Sequence, residues 1–313
     1  MVKYAFILAS FLFTFSLLSQ ENHKVVEVTR YGDSNTIYFV PDEQLIDERW
    51  DLLAQPNFWK KVMVLSPDSC IINVAETRQI LYYTSFIDWK AQTEEEKDSV
   101  RMQIRMDYGL DSNERLYVTS GKNHFYQVEK VLPSLSKGIE VFEREGVNPW
   151  YAQTILLIES PGKIAYSNVG AFGPFQLMKS VARNHGLRVD KYVDERKDFD
   201  KSAYGSAHLL RTSCIPEAKR IMTKFGIHIK GTKEHELWFR LLVLHVYHAG
   251  AGNVNKVLVN VVKPNCGCKD VITTIWQSKY GNFGNSSQNY SQLALASNFV
   301  LEEFIKTKCS AVE

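Results

Sequence analysis

The sequence predicts a mainly α fold, and three observations carry that prediction. Two runs, Ile155-Leu156-Leu157-Ile158 and the stretch from Leu237 to Tyr247 (LWFRLLVLHVY), are too apolar to face water, as helices buried on most sides are. Breakers follow each of them, Pro161-Gly162 after the first and Gly250-Ala251-Gly252 after the second. Elsewhere, large apolar residues recur at helical spacing, and no internal repeat or low-complexity tract interrupts them.

The 313 residues are enough for a well-buried core and two structural parts. A formal charge of +2 with 23% charged residues, and no basic tract interleaved with aromatics, argues against a nucleic-acid partner. Residues 1 to 20 read as a signal peptide: Lys3, an apolar run to Leu18, and small Ser19 as a cleavage position. The run is shorter than the ~20 residues of an ordinary span. Export with cleavage to a periplasmic or extracellular location is therefore expected, an uncleaved anchor being the alternative. No cysteine follows the run, which argues against a lipid-modified terminus.

Residues 21 to 45 are polar and loosely patterned, a lead-in with one strand expected at Thr36 to Val40. Arg49 to Leu65 and Ile72 to Ala91 carry helical spacing, and Glu94-Glu95-Glu96 opens a further helix whose acids suit its N-terminal dipole. Leu116-Tyr117-Val118 and Phe125-Tyr126 flank Ser120-Gly121-Lys122-Asn123, the pattern of a short hairpin. Nothing in residues 21 to 130 assembles a catalytic set. This part reads as a smaller, mostly helical region packed on a catalytic domain at 131 to 305, with 306 to 313 as a C-terminal tail.

Within the larger part, Pro133 and Ser134 suit a helix start and Gly146 its end. Ser180 to His185 is a short helix stopped by Gly186. Asp194 to Asp198 precedes Ser202 to Leu210, where Ala203, Ala207 and Leu210 make a small-residue face; Asp194 and Arg196 read as a cap or ion pair. Helical spacing resumes at Val254, Val257, Leu258 and Val261, and Asn282 to Tyr290 lead into a terminal helix at Leu293 to Phe304. The cysteines are Cys70, Cys214, Cys266, Cys268 and Cys309, an odd count that leaves at least one thiol unpaired or joined between chains. Cys266-Gly267-Cys268 lacks zinc-site spacing, and a disulfide from Cys214 to one of this pair is conceivable.

Glu159 is the residue to which chemistry attaches. A carboxylate at the inner end of a buried helix is partly desolvated, which raises its pKa and lets it hold a proton near neutral pH. The competing reading is a glutamate at a helix end pointing into water. The neighbouring motifs weigh on that choice: Glu159-Ser160, then Ser167 with Gly170-Ala171-Phe172-Gly173, then Gln176-Leu177-Met178, and later Tyr247-His248-Ala249-Gly250-Ala251-Gly252-Asn253-Val254.

Together, over roughly Pro133 to Leu301, these motifs resemble the lytic murein transglycosylases with a goose-type-lysozyme-like SLT domain, of the membrane-bound lytic transglycosylase D kind. The resemblance implies a lysozyme-like helical domain with a glycan cleft, peptidoglycan strands as partner, a monomer, and no metal or organic cofactor. It implies Glu159 as catalytic acid and then base, cutting the bond from N-acetylmuramic acid to N-acetylglucosamine and closing a 1,6-anhydro ring. By position, it gives Ser167, Gly173, Gln176, Met178 and Tyr247 as substrate contacts, with Asn289 and Tyr290 lining the cleft. Two departures stand out. Pro174-Phe175 replace the usual Leu-Met, and His248 stands where the family has Asn, which reads as a turn residue. The rival readings are a hydrolytic muramidase using Asp190 or Asp194 as second acid, and a catalytically inactive glycan-binding wall protein.

Overall fold

In the N-terminal part, β-branched and aromatic runs win over helical spacing. The computed structural model describes residues 24–32, 36–159 and 166–311, and the signal-peptide and Pro161-Gly162 readings lie outside them. β1 (Val26–Arg30) and β2 (Thr36–Phe39) form an antiparallel pair, as the strand at 36 to 40 anticipates, but their neighbours are no lead-in. Val28, Ile37, Phe39 and Val40 are buried against the main helical core. β6 (Cys309–Ala311) joins the other edge of β1, so the residues expected as a tail close a three-stranded sheet of order β2-β1-β6.

A short helix α1 (Gln44–Asp47), a tight turn at Trp50–Leu52 and α2 (Ala54–Val64) follow. Then come β3 (Ser69–Val74), β4 (Ile80–Ser85), α3 (Phe86–Ala91), α4 (Glu94–Asp107) and β5 (Leu116–Ser120). These strands make an antiparallel sheet of order β4-β3-β5. The stretch expected to be helical from Ile72 is therefore strand, turn and strand up to Ser85. Short apolar runs do not separate the two periods, and Ile71-Ile72 with Tyr82-Tyr83-Thr84 prefer a pleated surface. The hairpin expected around Ser120-Gly121 does not form. Its first arm is β5, but that strand pairs with β3, while Phe125-Tyr126 stay in a turn. The three glutamates do open α4, behind a capping box of Thr93 and Glu96.

The helical part begins with α5 (Val128–Arg144), five residues before the expected start, so Pro133 sits inside it. Its end is as read. Gly146, at φ +67°, lets its own N–H reach Glu143 O at 3.0 Å and that of Val147 reach Phe142 O at 2.9 Å, a Schellman closure. α6 (Trp150–Glu159) is buried from Trp150 through Ile158. It crosses α5 at Gly138, where a Cβ would lie 2.8 Å from the Leu156 side chain.

α7 (Lys179–Asn184), α8 (Phe199–Leu209), α9 (Ile215–Thr223) and α10 (Leu237–Ala249) surround α6, with one π turn at Leu210–Cys214 joining α8 to α9. α11 (Ala251–Val257), α12 (Lys269–Gln277) and α13 (Asn285–Lys308) complete the chain. α13 starts eight residues before Leu293 because its serine- and asparagine-rich first turns are helical and packed. Ser287, Asn289 and Ser291 are buried.

One core unites residues of β1, β2, α1, α5, α6, α8, α9, α10 and α13. Each fully buried Leu or Ile in it contributes about 1.5–3 kcal/mol. The β3-β4-β5 sheet keeps a smaller core under α3 and α4, and Phe58, Trp59 and Ile71 pack with Ala296 of α13. Cys266 and Cys268 are bonded to each other, so Cys214 pairs with neither; it is free and buried, as are Cys70 and Cys309. Among the described residues, no helix is long and apolar enough to cross a membrane.

Candidate active site

Glu159 is the last residue of α6, the point where a helix buried along nearly its whole length meets a pocket of about 340 Å³. Only partly covered as a residue, it carries a carboxyl set among protein atoms. Burial raises its pKa from 4.5 to about 7, against the opposing effect of a hydrogen bond from Tyr290. In that bond the Tyr290 hydroxyl, from α13, donates to Glu159 Oε1 at 2.7 Å. The C-terminal end of a helix also disfavours a negative charge. A group held in this way is half protonated near neutrality and can give or take a proton.

The loop from Ser167 to Met178 forms one wall. Ser167 closes its turn by accepting the Ala171 N–H on Oγ at 2.9 Å, and its residue lines the pocket. Gln176 holds a left-handed backbone at φ +47°, donates from Nε2 to Gly173 O at 3.0 Å, and lines the pocket beside Met178. Met178 is 39% exposed, an apolar surface presented rather than packed away. Tyr247, from α10, reaches the pocket wall and donates to Phe175 O at 2.6 Å, which ties the loop to the helix. These four side chains and Glu159 are brought together as the sequence anticipates.

Gly173, Asn289 and Tyr290 are placed otherwise. Gly173 does not line the pocket. At φ +86°, with a Cβ position 2.1 Å from Arg196 O, it is where the loop packs on the backbone of the Asp194–Asp198 turn. The Asn289 side chain accepts from Arg78 at 3.1 Å and donates to Asn285 at 3.2 Å, away from the pocket. Tyr290 is 2% exposed, so it acts on Glu159 from behind instead of lining the cleft.

Three residues beside the acid or in its pocket were not among the site residues read from the sequence. His248 is more than a turn residue: its ring stacks on Tyr290 at 4.3 Å and lines the pocket, and burial lowers its pKa to about 4, so it is neutral at pH 7. Tyr126 comes from the region with no catalytic signature. Burial and the nearby Glu159 raise its hydroxyl pKa. Glu217 of α9 is the one further carboxylate lining the pocket among the described residues, and Arg220 Nε donates to it at 3.0 Å and helps lower its pKa. Only His248 left a sequence signal, through its place in the Tyr247 turn.

The acids proposed for a hydrolase lie elsewhere. Asp190 accepts from Arg188 Nε at 2.7 Å and from two backbone N–H groups, which hold its pKa down at about 2. Asp194 caps the Glu195–Lys197 turn and pairs with buried Arg196 at 2.8 Å. Arg196 in turn donates to Gly170 O and Leu177 O, so this pair braces the Ser167–Met178 loop. Among the described residues, the only cluster with metal-ligand spacing is Cys266, Cys268 and Asp270, and the first two are the bonded pair.

Residues 139–265 match the family model of the transglycosylase SLT domain. That stretch holds α6, the Ser167–Met178 loop and α10, and stops short of Tyr290. No match is found among curated proteins.

Proposed function

We propose that this chain, whose residues 139–265 match the model of the transglycosylase SLT domain, is an exported peptidoglycan lytic transglycosylase. In this reading it cleaves the β-1,4 bond from N-acetylmuramic acid to N-acetylglucosamine and leaves 1,6-anhydromuramyl ends. The carrying observation is Glu159: one carboxyl, half protonated near pH 7, at a pocket whose other carboxylate is engaged by an arginine.

Protonated Glu159 donates to the glycosidic oxygen as the bond to C1 breaks. The resulting carboxylate takes the proton of the muramyl C6 hydroxyl, whose oxygen closes on C1. The acid is thereby restored, and no external water is consumed. The attacking hydroxyl belongs to the substrate itself, so the step draws on proximity. Ser167 and Gln176 offer hydrogen-bonding groups to the sugars, and Met178 offers an apolar face. Lys3 and the apolar run behind it support export to the cell envelope.

Mass spectrometry of the fragments released from muropeptide-rich wall material tests the reading. The expected products are anhydro ends, lost when Glu159→Gln replaces the native chain. Fragments carrying the mass of added water would reject it and favour hydrolysis with Glu217 as the base.

A further inference from the structure

Arg78 has no place in the pocket, yet several disfavoured features meet in it. It occupies the turn between β3 and β4 with φ +61°, a backbone conformation a glycine or asparagine would adopt more readily. Its residue is 5% exposed, and among the described residues no carboxylate pairs with it. Instead the guanidinium faces the rings of Phe58, Trp59 and Tyr117 at 5.4, 5.6 and 5.4 Å. From there Nη2 donates to Asn285 Oδ1 at 3.2 Å and to Asn289 Oδ1 at 3.1 Å. Both asparagines stand in the first turns of α13, the positive end of that helix, where a cation is unwelcome. A hairpin turn requires none of this.

The helix that Arg78 grips explains the arrangement. Asn289 and Tyr290 are consecutive on α13, so their side chains leave the helix in different directions. One meets Arg78 and the other meets Glu159. Fixing the first turns of α13 fixes the Tyr290 hydroxyl, and a displacement on the scale of 1 Å there would break its 2.7 Å bond to the acid.

We propose that Arg78 is a positioning residue, which from the N-terminal hairpin sets α13 so that Tyr290 holds Glu159 in its working geometry. The region of residues 24–127 is thereby part of the machinery that poises the acid. The inference rests on Glu159 being the acid of the proposed reaction, and its test reads Glu159 directly, without substrate.

Arg78→Met keeps the stem among the rings and removes the donors. In protein labelled with carboxyl-13C glutamate, the Glu159 resonance is followed against pH, with circular dichroism confirming the fold. Tyr290 faces the carboxyl from α13, Tyr126 from the loop after β5, and Tyr247 and His248 from α10; none of them is altered by the substitution. The expected result is a Glu159 midpoint moved upward, in the same direction as in Tyr290→Phe. Wall turnover should fall about tenfold or more, in kcat with KM unchanged, and Arg78→Lys should recover part of both effects. A folded Arg78→Met with the native Glu159 midpoint overturns the proposal and leaves Arg78 as a docking contact only. Should Arg78→Met not fold, Asn285→Ala, at an exposed residue, gives the same two outcomes on a smaller scale. A shifted midpoint in a protein whose native form releases no wall fragments would support the positioning role and reject the proposed activity.

Discussion

At the scale of single residues, Glu159 joins the proposed catalysis to stability through one carboxyl. Its pKa of about 7 means the donating form is abundant below neutrality and falls tenfold per pH unit above it. The rate of wall turnover should therefore show a descending alkaline limb near pH 7. Tyr290 donates to the carboxylate and so favours the ionised form. Tyr290→Phe should raise the pKa further and move that limb to higher pH, a shift a pH–rate profile resolves. The same burial has a folding consequence of definite sign. Between 4.5 and about 7 the folded chain binds a proton that the unfolded chain releases. Stability from this group is therefore complete below the unfolded pKa and lost as pH rises through the folded one. The gap corresponds to about 3 kcal/mol at most by pH 8. Glu159→Gln should accordingly be more stable than the native chain by about 1–3 kcal/mol at pH 8 and nearly equal to it at pH 4. Urea unfolding at the two pH values checks both halves.

At the scale of elements, the site depends on a loop held by other backbones. Gly173 packs on Arg196 O, while the Arg196 guanidinium bonds Gly170 O and Leu177 O. Gly173→Ala meets both the left-handed φ and a carbonyl 2.1 Å from its new Cβ. It should destabilise the fold by about 3 kcal/mol or more in denaturant unfolding. The same element shows what was legible in the sequence. Ser167, Gln176, Met178 and Tyr247 were readable because motifs fix local geometry, and both buried helices because their apolar stretches, 10 and 13 residues as helices, outrun a typical strand. Gly173 was readable as a needed glycine, but which atoms approach it is a matter of tertiary packing. Tyr126 and Arg78 gave no signal at all, since what matters is a contact with Glu159 or with α13, far along the chain. The β3-β4 pair was lost because six-residue apolar stretches fit either period, and pairing of β5 with β3 is non-local.

At the scale of the whole molecule, the first and last described strands and the helices between them are tied together. β6 pairs with β1, and the backbone of Val40 exchanges two hydrogen bonds with the buried Gln153 side chain of α6, at 2.9 and 3.0 Å. A further tie is ionic: Asp42, just after β2, pairs with Arg240 of α10 at 2.9 Å, both side chains 5% exposed. Arg240 also lies 4.5 Å over the Trp150 ring and donates to His235 O, so its charge is deep among the helices that carry the site. Water and salt screen such a pair little, and removing one partner leaves a buried cation without its counter-charge. Asp42→Ala should therefore cost about 3–5 kcal/mol in urea unfolding, far more than loss of the exposed Arg30–Glu129 pair, at about 0–1 kcal/mol. None of the atoms lost touches Glu159 or Tyr290. A folded Asp42→Ala should keep its Glu159 midpoint near pH 7 while its stability falls. Arg78→Met is expected to move that midpoint, so the two substitutions separate a contact that only closes the fold from the one proposed to poise its acid.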